Sequence, residues 1–153
     1  MLNADEMFMG EAIRQAKMAA GADEVPVGAV IVYERKIIAR AHNQIETLKD
    51  PTAHAEMIAI TQATSFLHRK WLQECTLYVT IEPCSMCAGA LVLARIARVC
   101  FGAKDPKTGA CGSVVNIANH KSLNHHIKVN GGVLAEECST LVSEFFQKKR
   151  KAK

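Results

Sequence analysis

Residues 76–102 restrict the fold most tightly. Thr76, Leu77, Tyr78, Val79 and Thr80 are β-branched, aromatic or apolar and read as a strand, which Pro83 ends. The small and apolar residues 84–94 continue as a helix, and residues 98–102 read as the next strand. Strand, helix, strand in that order predicts a parallel crossover. Upstream, residues 4–20 carry Met7, Phe8, Ala12, Ile13, Ala16 and Ala20 as a helical stripe, behind Asn3 and Glu6 at capping-box spacing. Residues 27–32 are nearly all apolar, and Glu34-Arg35-Lys36 turns them into residues 37–43, so this stretch reads as a hairpin with a buried first strand.

A polar loop follows the hairpin. Pro51-Thr52-Ala53 then opens a helix over residues 54–67, with Thr52 as the expected N-cap and Met57, Ile58, Ile60, Thr61 and Thr64 at helical spacing. Residues 103–124 carry Gly and Asn without a regular period. Residues 127–133 read as a short edge strand, and residues 136–149 as an amphipathic helix with Leu141, Val142, Phe145 and Phe146. The elements sum to an α/β three-layer sandwich, a central mixed sheet of about five strands with helices on both faces.

At 153 residues the chain is expected to form one domain, 1–153, with a basic C-terminal tail at 147–153. With 49% hydrophobic and 22% charged residues it has the composition of a folded protein rather than a disordered one. The long apolar run at residues 86–94 is nine residues, against the ~20 a bilayer requires, so no membrane span is expected. The N-terminus has acids where a secretory signal needs bases. Six cysteines without such a signal imply reduced thiols and a cytoplasmic location, where a close pair is better read as metal-binding or catalytic than as a disulfide. The tail holds five of the nineteen basic residues and no acid, so the remaining fourteen bases face fifteen acids. The net positive charge therefore belongs to the tail, either as a solvated end or as a phosphate-contacting arm.

His54-Ala55-Glu56 and Pro83-Cys84-Ser85-Met86-Cys87 carry the chemistry, and each opens a predicted helix. A Cys-x-x-Cys turn places two sulfurs on one side of a single ion, and zinc takes nitrogen and sulfur ligands in a tetrahedron. Cys84 and Cys87 fit that geometry, a helix N-terminus favours their thiolates, and neutral His54 makes a third ligand. The fourth corner is left for water. Residues two apart point to opposite sides of a helix except at its first turn, where the chain places His54 and Glu56. A carboxylate there can take a proton from the water and hand it to a substrate atom, which is hydrolytic chemistry.

Each motif alone has a plainer explanation. His-x-Glu is common by chance, and Cys-x-x-Cys can be a redox pair. A purely structural zinc site would need a fourth protein ligand such as Cys75, Cys100, Cys111 or Cys138, none of which has a partner at ligand spacing. Together, with Pro83 directly before Cys84, the two motifs form the H-x-E…P-C-x-x-C signature of zinc deaminases.

The chain resembles the zinc-dependent nucleoside deaminase superfamily, which is cytidine-deaminase-like in fold, and within it the bacterial tRNA adenosine deaminases. The resemblance is nearly full-length. It runs through Glu24-Val25-Pro26-Val27-Gly28-Ala29, Asn43, Asp50-Pro51-Thr52-Ala53-His54-Ala55-Glu56, Thr76-Leu77-Tyr78-Val79-Thr80 and Glu82-Pro83-Cys84-Ser85-Met86-Cys87-Ala88-Gly89-Ala90. It continues through Phe101-Gly102-Ala103-Lys104-Asp105-Pro106-Lys107-Thr108-Gly109, Asn124-His125 and Phe145-Phe146. The resemblance implies hydrolytic conversion of adenosine to inosine at the wobble position of a tRNA anticodon, an arginine tRNA, by a homodimer with one zinc ion per subunit. It implies His54, Cys84 and Cys87 as zinc ligands and Glu56 as proton shuttle. By the same resemblance, Asn43 bonds the flipped nucleotide and Val27, Ala55 and Pro83 shape its pocket. Asp105, Lys107, Asn124, His125, Phe146 and Arg150 face the anticodon stem-loop. Where the family often has arginines after Phe-Phe, this chain has Gln147-Lys148-Lys149-Arg150, and lysine lacks arginine's planar fork. Two other classes share the signature or the metal: a deaminase of a free base or nucleotide, of guanine or cytosine type, and a non-catalytic zinc-stabilised binding module.

Overall fold

The computed structural model of the chain describes residues 1–152. In chain order the elements are α1 (Ala4–Gly21), β1 (Gly28–Tyr33), β2 (Lys36–His42), α2 (Ile45–Leu48), α3 (Ala55–Leu67), β3 (Cys75–Ile81), α4 (Ser85–Leu93), β4 (Arg98–Ala103), β5 (Lys128–Asn130) and α5 (Ala135–Lys151). The five strands form one mixed sheet in the order β2-β1-β3-β4-β5. β1 is antiparallel to both β2 and β3, while β3, β4 and β5 run parallel. The predicted crossover is thus β3-α4-β4.

Strand alternation divides the core into two layers. Ala29, Ile31, Leu77, Val79, Val99 and Phe101 face α3 and α4, which contribute Ala55, Ala59, Ala63, Leu91 and Val92. Val30, Val32, Tyr78 and Cys100 face α1 and α5, which contribute Met9, Ala12, Ile13 and Cys138. The alanines of α3 recur every four residues, so that helix can lie close against the sheet. Gly28 serves the same end on the other face, because a Cβ there would collide with the backbone of Ala12 and Ala16.

Several local expectations shift. The capping box forms, Asn3 Oδ1 accepting from Glu6 N at 2.9 Å and Asn3 N donating to Glu6 Oε1 at 3.1 Å. The buried stripe of α1, however, is Met9, Ala12, Ile13, Ala16 and Ala19, whereas Met7 and Ala20 are exposed. A period of 3.6 residues fits both stripes, and contact with the sheet selects one. The hairpin turns on Glu34 and Arg35, both at positive φ (51° and 66°), the conformation a two-residue turn needs to match strand twist. β5 is only three residues long. Gly131 passes so close to the Phe101 ring that a Cβ would not fit, and Gly132 takes φ 89°; the regular pairing ends there, although Gly132 N still donates to Gly102 O at 3.1 Å and Val133 N to Phe101 O at 3.3 Å.

The expected polar loop contains the short helix α2, held from outside by a buried carboxylate. Glu24 Oε1 accepts from Glu46 N at 3.0 Å, and Glu24 Oε2 accepts from Thr47 N and Thr47 Oγ1 at 2.6 and 2.7 Å. The tail is helical through Lys151, with Lys149 Nζ 2.6 Å from Asp23 Oδ1; Lys153 lies outside the described residues. Among the described residues no helix is long and apolar enough to cross a membrane.

Candidate metal centre and active site

α3 and α4 begin side by side where β3 and β4 end. His54 is the N-cap of α3 (φ −75°, ψ 151°) and Cys84 the N-cap of α4 (φ −74°, ψ 177°). An N-cap side chain usually folds back onto its own helix amides. Neither does so here, and both reach towards the same point. Thr52 is not the cap of α3: its N–H and hydroxyl both donate to Asp50 Oδ1, at 2.8 and 2.7 Å. The first amide of α3 is met instead by Asn43, whose Oδ1 accepts from Ala55 N at 2.8 Å. That leaves the His54 ring free to act as a ligand.

His54 Nδ1 lies 3.7 Å from Cys84 Sγ and 3.5 Å from Cys87 Sγ. Tetrahedral zinc with bonds of about 2.3 Å to sulfur and about 2.0–2.1 Å to nitrogen spaces such donors about 3.6 Å apart, so the residues fit the ion. The cluster contains these three residues and, among those described, no fourth cysteine. Cys75, Cys100 and Cys138 are buried in the core. Burial raises the thiol of Cys111 to about 12 and that of Cys100 to about 11.

The two site cysteines titrate as a pair. Hydrogen bonding from Cys87, and then His54, draws Cys84 down to about 3, while Cys84 and burial push Cys87 up. A cation between them favours thiolate at both. Glu56, the second residue of α3, is 4% exposed, and burial raises its carboxyl to about 7. It shares the first turn with His54, as the motif spacing predicts.

A cavity of about 100 Å³ opens beside the triad, lined by Val27, Asn43, His54, Glu56, Ile81, Glu82, Cys84, Asp105 and Thr108. It sits at the carboxyl ends of the parallel strands β3 and β4, the usual binding edge of such sheets. Val27, Asn43 and Asp105 are therefore brought to the site. Ala55 and Pro83 are buried behind it and act through their backbone, Ala55 N bonding Asn43 and Pro83 O accepting from Ala110 N at 2.8 Å. Lys107 is exposed on the adjoining loop, its N–H donating to Asp105 Oδ1 at 3.0 Å. Phe146 and Arg150 line a separate depression of about 650 Å³ with Asp23, Val25, Glu46 and Lys49.

Asn124 and His125 are not brought to this cavity. His125 Nε2 donates to Ile96 O at 2.7 Å, just before β4 begins, at the opposite end of that strand. Asn124 is exposed at a groove along α4, with its carbonyl 3.5 Å from Arg95 Nη1.

Sequence reasoning missed Ile81, Glu82 and Thr108 as lining residues. For Glu82 there was a signal: an acid between a buried strand and Pro83 must find donors. Glu82 is 3% exposed, and four groups of the following loop meet its carboxylate. Oε1 accepts from Asp105 N at 3.1 Å and from the Ser113 hydroxyl, and Oε2 accepts from Cys111 N at 3.0 Å and Ser113 N at 3.1 Å. Burial alone would raise this carboxyl, but the bonds outweigh it and the carboxylate is held below its ordinary range.

A five-stranded α/β sandwich that presents His, Cys, Cys and a buried Glu at one end is the architecture of a deaminase, and residues 2–150 match the MafB19-like deaminase family, to which the chain belongs. Within that class it stands among the tRNA-specific adenosine deaminases. It is 50% identical to the tRNA-specific adenosine deaminase of Bacillus subtilis over 149 residues, covering 97% of this chain and 92% of the relative. It is 54% identical to that of Aquifex aeolicus, covering 95% of each. A solved structure from work on A-to-I editing by tRNA:A34 deaminases superposes with a TM-score of 0.85 at 41% identity, covering 88% of this chain and 98% of that one.

Proposed function

We propose that this chain edits tRNA, hydrolysing adenosine at the anticodon wobble position to inosine with release of ammonia. The observation that carries this reading is a three-donor metal cluster with Glu56 buried beside it and not among the ligands. His54, Cys84 and Cys87 would hold one zinc ion. Bound there, zinc supplies Lewis acidity that makes water nucleophilic near neutral pH.

The remaining work falls to side chains. Glu56 accepts the proton released as water adds to C6 of adenine and delivers it to N1; it then takes the hydroxyl proton of the C6 adduct and passes it to the amino group, which leaves as ammonia as the C6 carbonyl forms. Asn43, its oxygen committed to Ala55, keeps its amide N–H groups for the ring nitrogens of the nucleotide. Val27 and Ile81 supply apolar lining, and Asp105 and Thr108 line the cavity from the loop that follows β4. An anticodon-loop base is already unpaired, so extruding it costs less than the few kcal/mol needed in a duplex. With aromatic residues at 5% of the chain there is little stacking platform, so one base sits in the pocket while phosphates position the rest. Lys107, Arg150 and the lysines of the α5 end supply the positive charge for those phosphates, with Phe146 beside them. Asn124 and His125 form a further part of this RNA surface, away from the chain's own cavity.

The working form is a homodimer. Its support is the apolar groove along α4, about 840 Å³, with Leu93 79% and Leu123 40% exposed at its edge. The place of work is the cytoplasm, where its RNA substrate and six reduced thiols are both found. The test is incubation of the zinc-loaded chain with an arginine-tRNA anticodon stem-loop carrying adenosine at the wobble position. Inosine at that position is the expected product. No inosine, together with ammonia released from free guanine or cytosine, would replace this reading with a free-base deaminase. A cobalt-substituted protein whose spectrum showed four protein ligands would make the site structural.

A further inference from the structure

Glu82 stands between the two sides of the site. One residue away on one side is Pro83, followed by the ligand Cys84; across the cavity is the loop 105–113, which carries Asp105 and Thr108. Backbone pairing zips the two segments together. Glu82 N donates to Ala103 O at 2.9 Å, Ala110 N donates to Pro83 O at 2.8 Å, and Cys84 and Gly109 form an isolated antiparallel bridge. The Glu82 carboxylate extends that zipper to the rest of the loop, meeting donors from Asp105, Cys111 and Ser113. Gly109 packs so tightly on the carboxylate that a Cβ there would overlap it. All of this machinery serves the loop and none of it reaches His54, Cys84 Sγ or Cys87.

Resting on the reading that the cavity takes a nucleotide of RNA, we propose that Glu82 is a positioning residue, which sets the Asp105–Thr108 wall against the metal-ligand segment and so determines how the target nucleotide is seated. It acts as an acceptor of hydrogen bonds, with its lone pairs engaged by the loop rather than offered to substrate. The Asp105 carboxylate is engaged likewise, accepting from Lys107 N, Thr108 N and the Thr108 hydroxyl, which keeps the turn at 105–108 rigid. The side chains of His54, Glu56, Cys84 and Cys87 take no hydrogen bond from Glu82 or the loop, which meets the ligand segment through the backbone of Pro83 and Cys84. Loss of Glu82 should therefore weaken substrate seating without emptying the metal site.

The experiment compares Glu82→Gln and Ser113→Ala with the parent in the full zinc-loaded chain. Glutamine keeps the shape but turns an amide N–H₂ towards two loop donors, whereas Ser113→Ala removes only the hydroxyl bond and leaves the carboxylate in place. For Glu82→Gln the expected result is an unchanged zinc content and a KM for the stem-loop raised about tenfold or more, with kcat within about threefold. Amide hydrogen exchange at residues 105–113 should accelerate, with α3 and α4 unaffected. Ser113→Ala should shift KM in the same direction by about two- to fivefold. A lowered melting temperature with KM and loop exchange unchanged would overturn the proposal, as would loss of zinc. If Glu82→Gln does not fold, Ser113→Ala decides, and an unchanged KM with unchanged loop exchange refutes the assignment. If the parent itself makes no inosine, the tRNA reading fails. The exchange and zinc measurements then still decide what Glu82 does.

Discussion

Asn43 Oδ1 accepts a hydrogen bond from the backbone N–H of Ala55 at 2.8 Å, capping α3 from twelve residues upstream. This one contact frees His54, the formal N-cap, to turn its ring to Cys84 and Cys87, and it fixes which end of the Asn43 amide faces the cavity. The end of β2 and the start of α3 are thereby joined at the active site.

Replacing Asn43 with Ala should accordingly do two things. It leaves a buried N–H without its acceptor and should cost about 1–2 kcal/mol of stability, read by urea unfolding. It should also reduce conversion of the stem-loop by more than the fraction unfolded accounts for, because the amide donors proposed to bond the nucleotide are lost. Full activity per folded molecule would restrict Asn43 to capping.

Glu56→Ala should keep zinc and lose deamination, whereas His54→Ala should lose zinc. The distinction follows from the cluster, in which His54 is a donor and Glu56 is not. Elemental analysis of both purified variants checks it, and a metal-free Glu56→Ala protein would put that carboxylate among the ligands.

Acid sensitivity should trace in part to the clamp at the N-terminus of α1. Arg98 donates to both oxygens of Asp5, at 3.0 and 2.7 Å, and Tyr78 OH donates to Oδ1 at 2.7 Å. The Arg98 hydrogen bonds hold Asp5 at about 2, below its ordinary 3.8. A pKa lowered by folding stabilises the native state above the unfolded value and ceases to do so as pH falls through the folded one. The contribution should therefore be intact above about pH 4 and fade between about pH 4 and 2. Asp5→Asn should be less stable than the parent at pH 6, with the gap narrowing across that window in denaturant titrations. A constant gap would disconnect the clamp from acid unfolding.

The basic end of α5 gives a salt-dependence test. Changing Lys148, Lys149, Arg150 and Lys151 to Gln leaves the helix length intact, unlike truncation. Stem-loop affinity should fall, and the slope of log affinity against log salt should flatten by ~0.7–0.9 for each phosphate contact removed. An unchanged slope would leave Lys149 with its partner Asp23 and no role in RNA binding.

Much of this protein is written in short-range patterns. Cys84 and Cys87 are three apart at a helix start, His54 and Glu56 share a first turn, and the strand-helix-strand run at residues 76–102 forms the parallel crossover. These features depend on neighbours along the chain, so spacing alone reveals them. Other features came only with the fold. The side on which α1 buries Met9 rather than Met7 depends on contact with the sheet. The helix α2 exists because Glu24 reaches it across more than twenty residues. The loop 105–113 is held because Glu82 lies beneath it, and His125 is turned away from the cavity by a carbonyl at the far end of β4. Each is a bond between residues far apart in sequence, where a buried polar group takes whichever partner the packed chain brings near, and no local spacing encodes that choice.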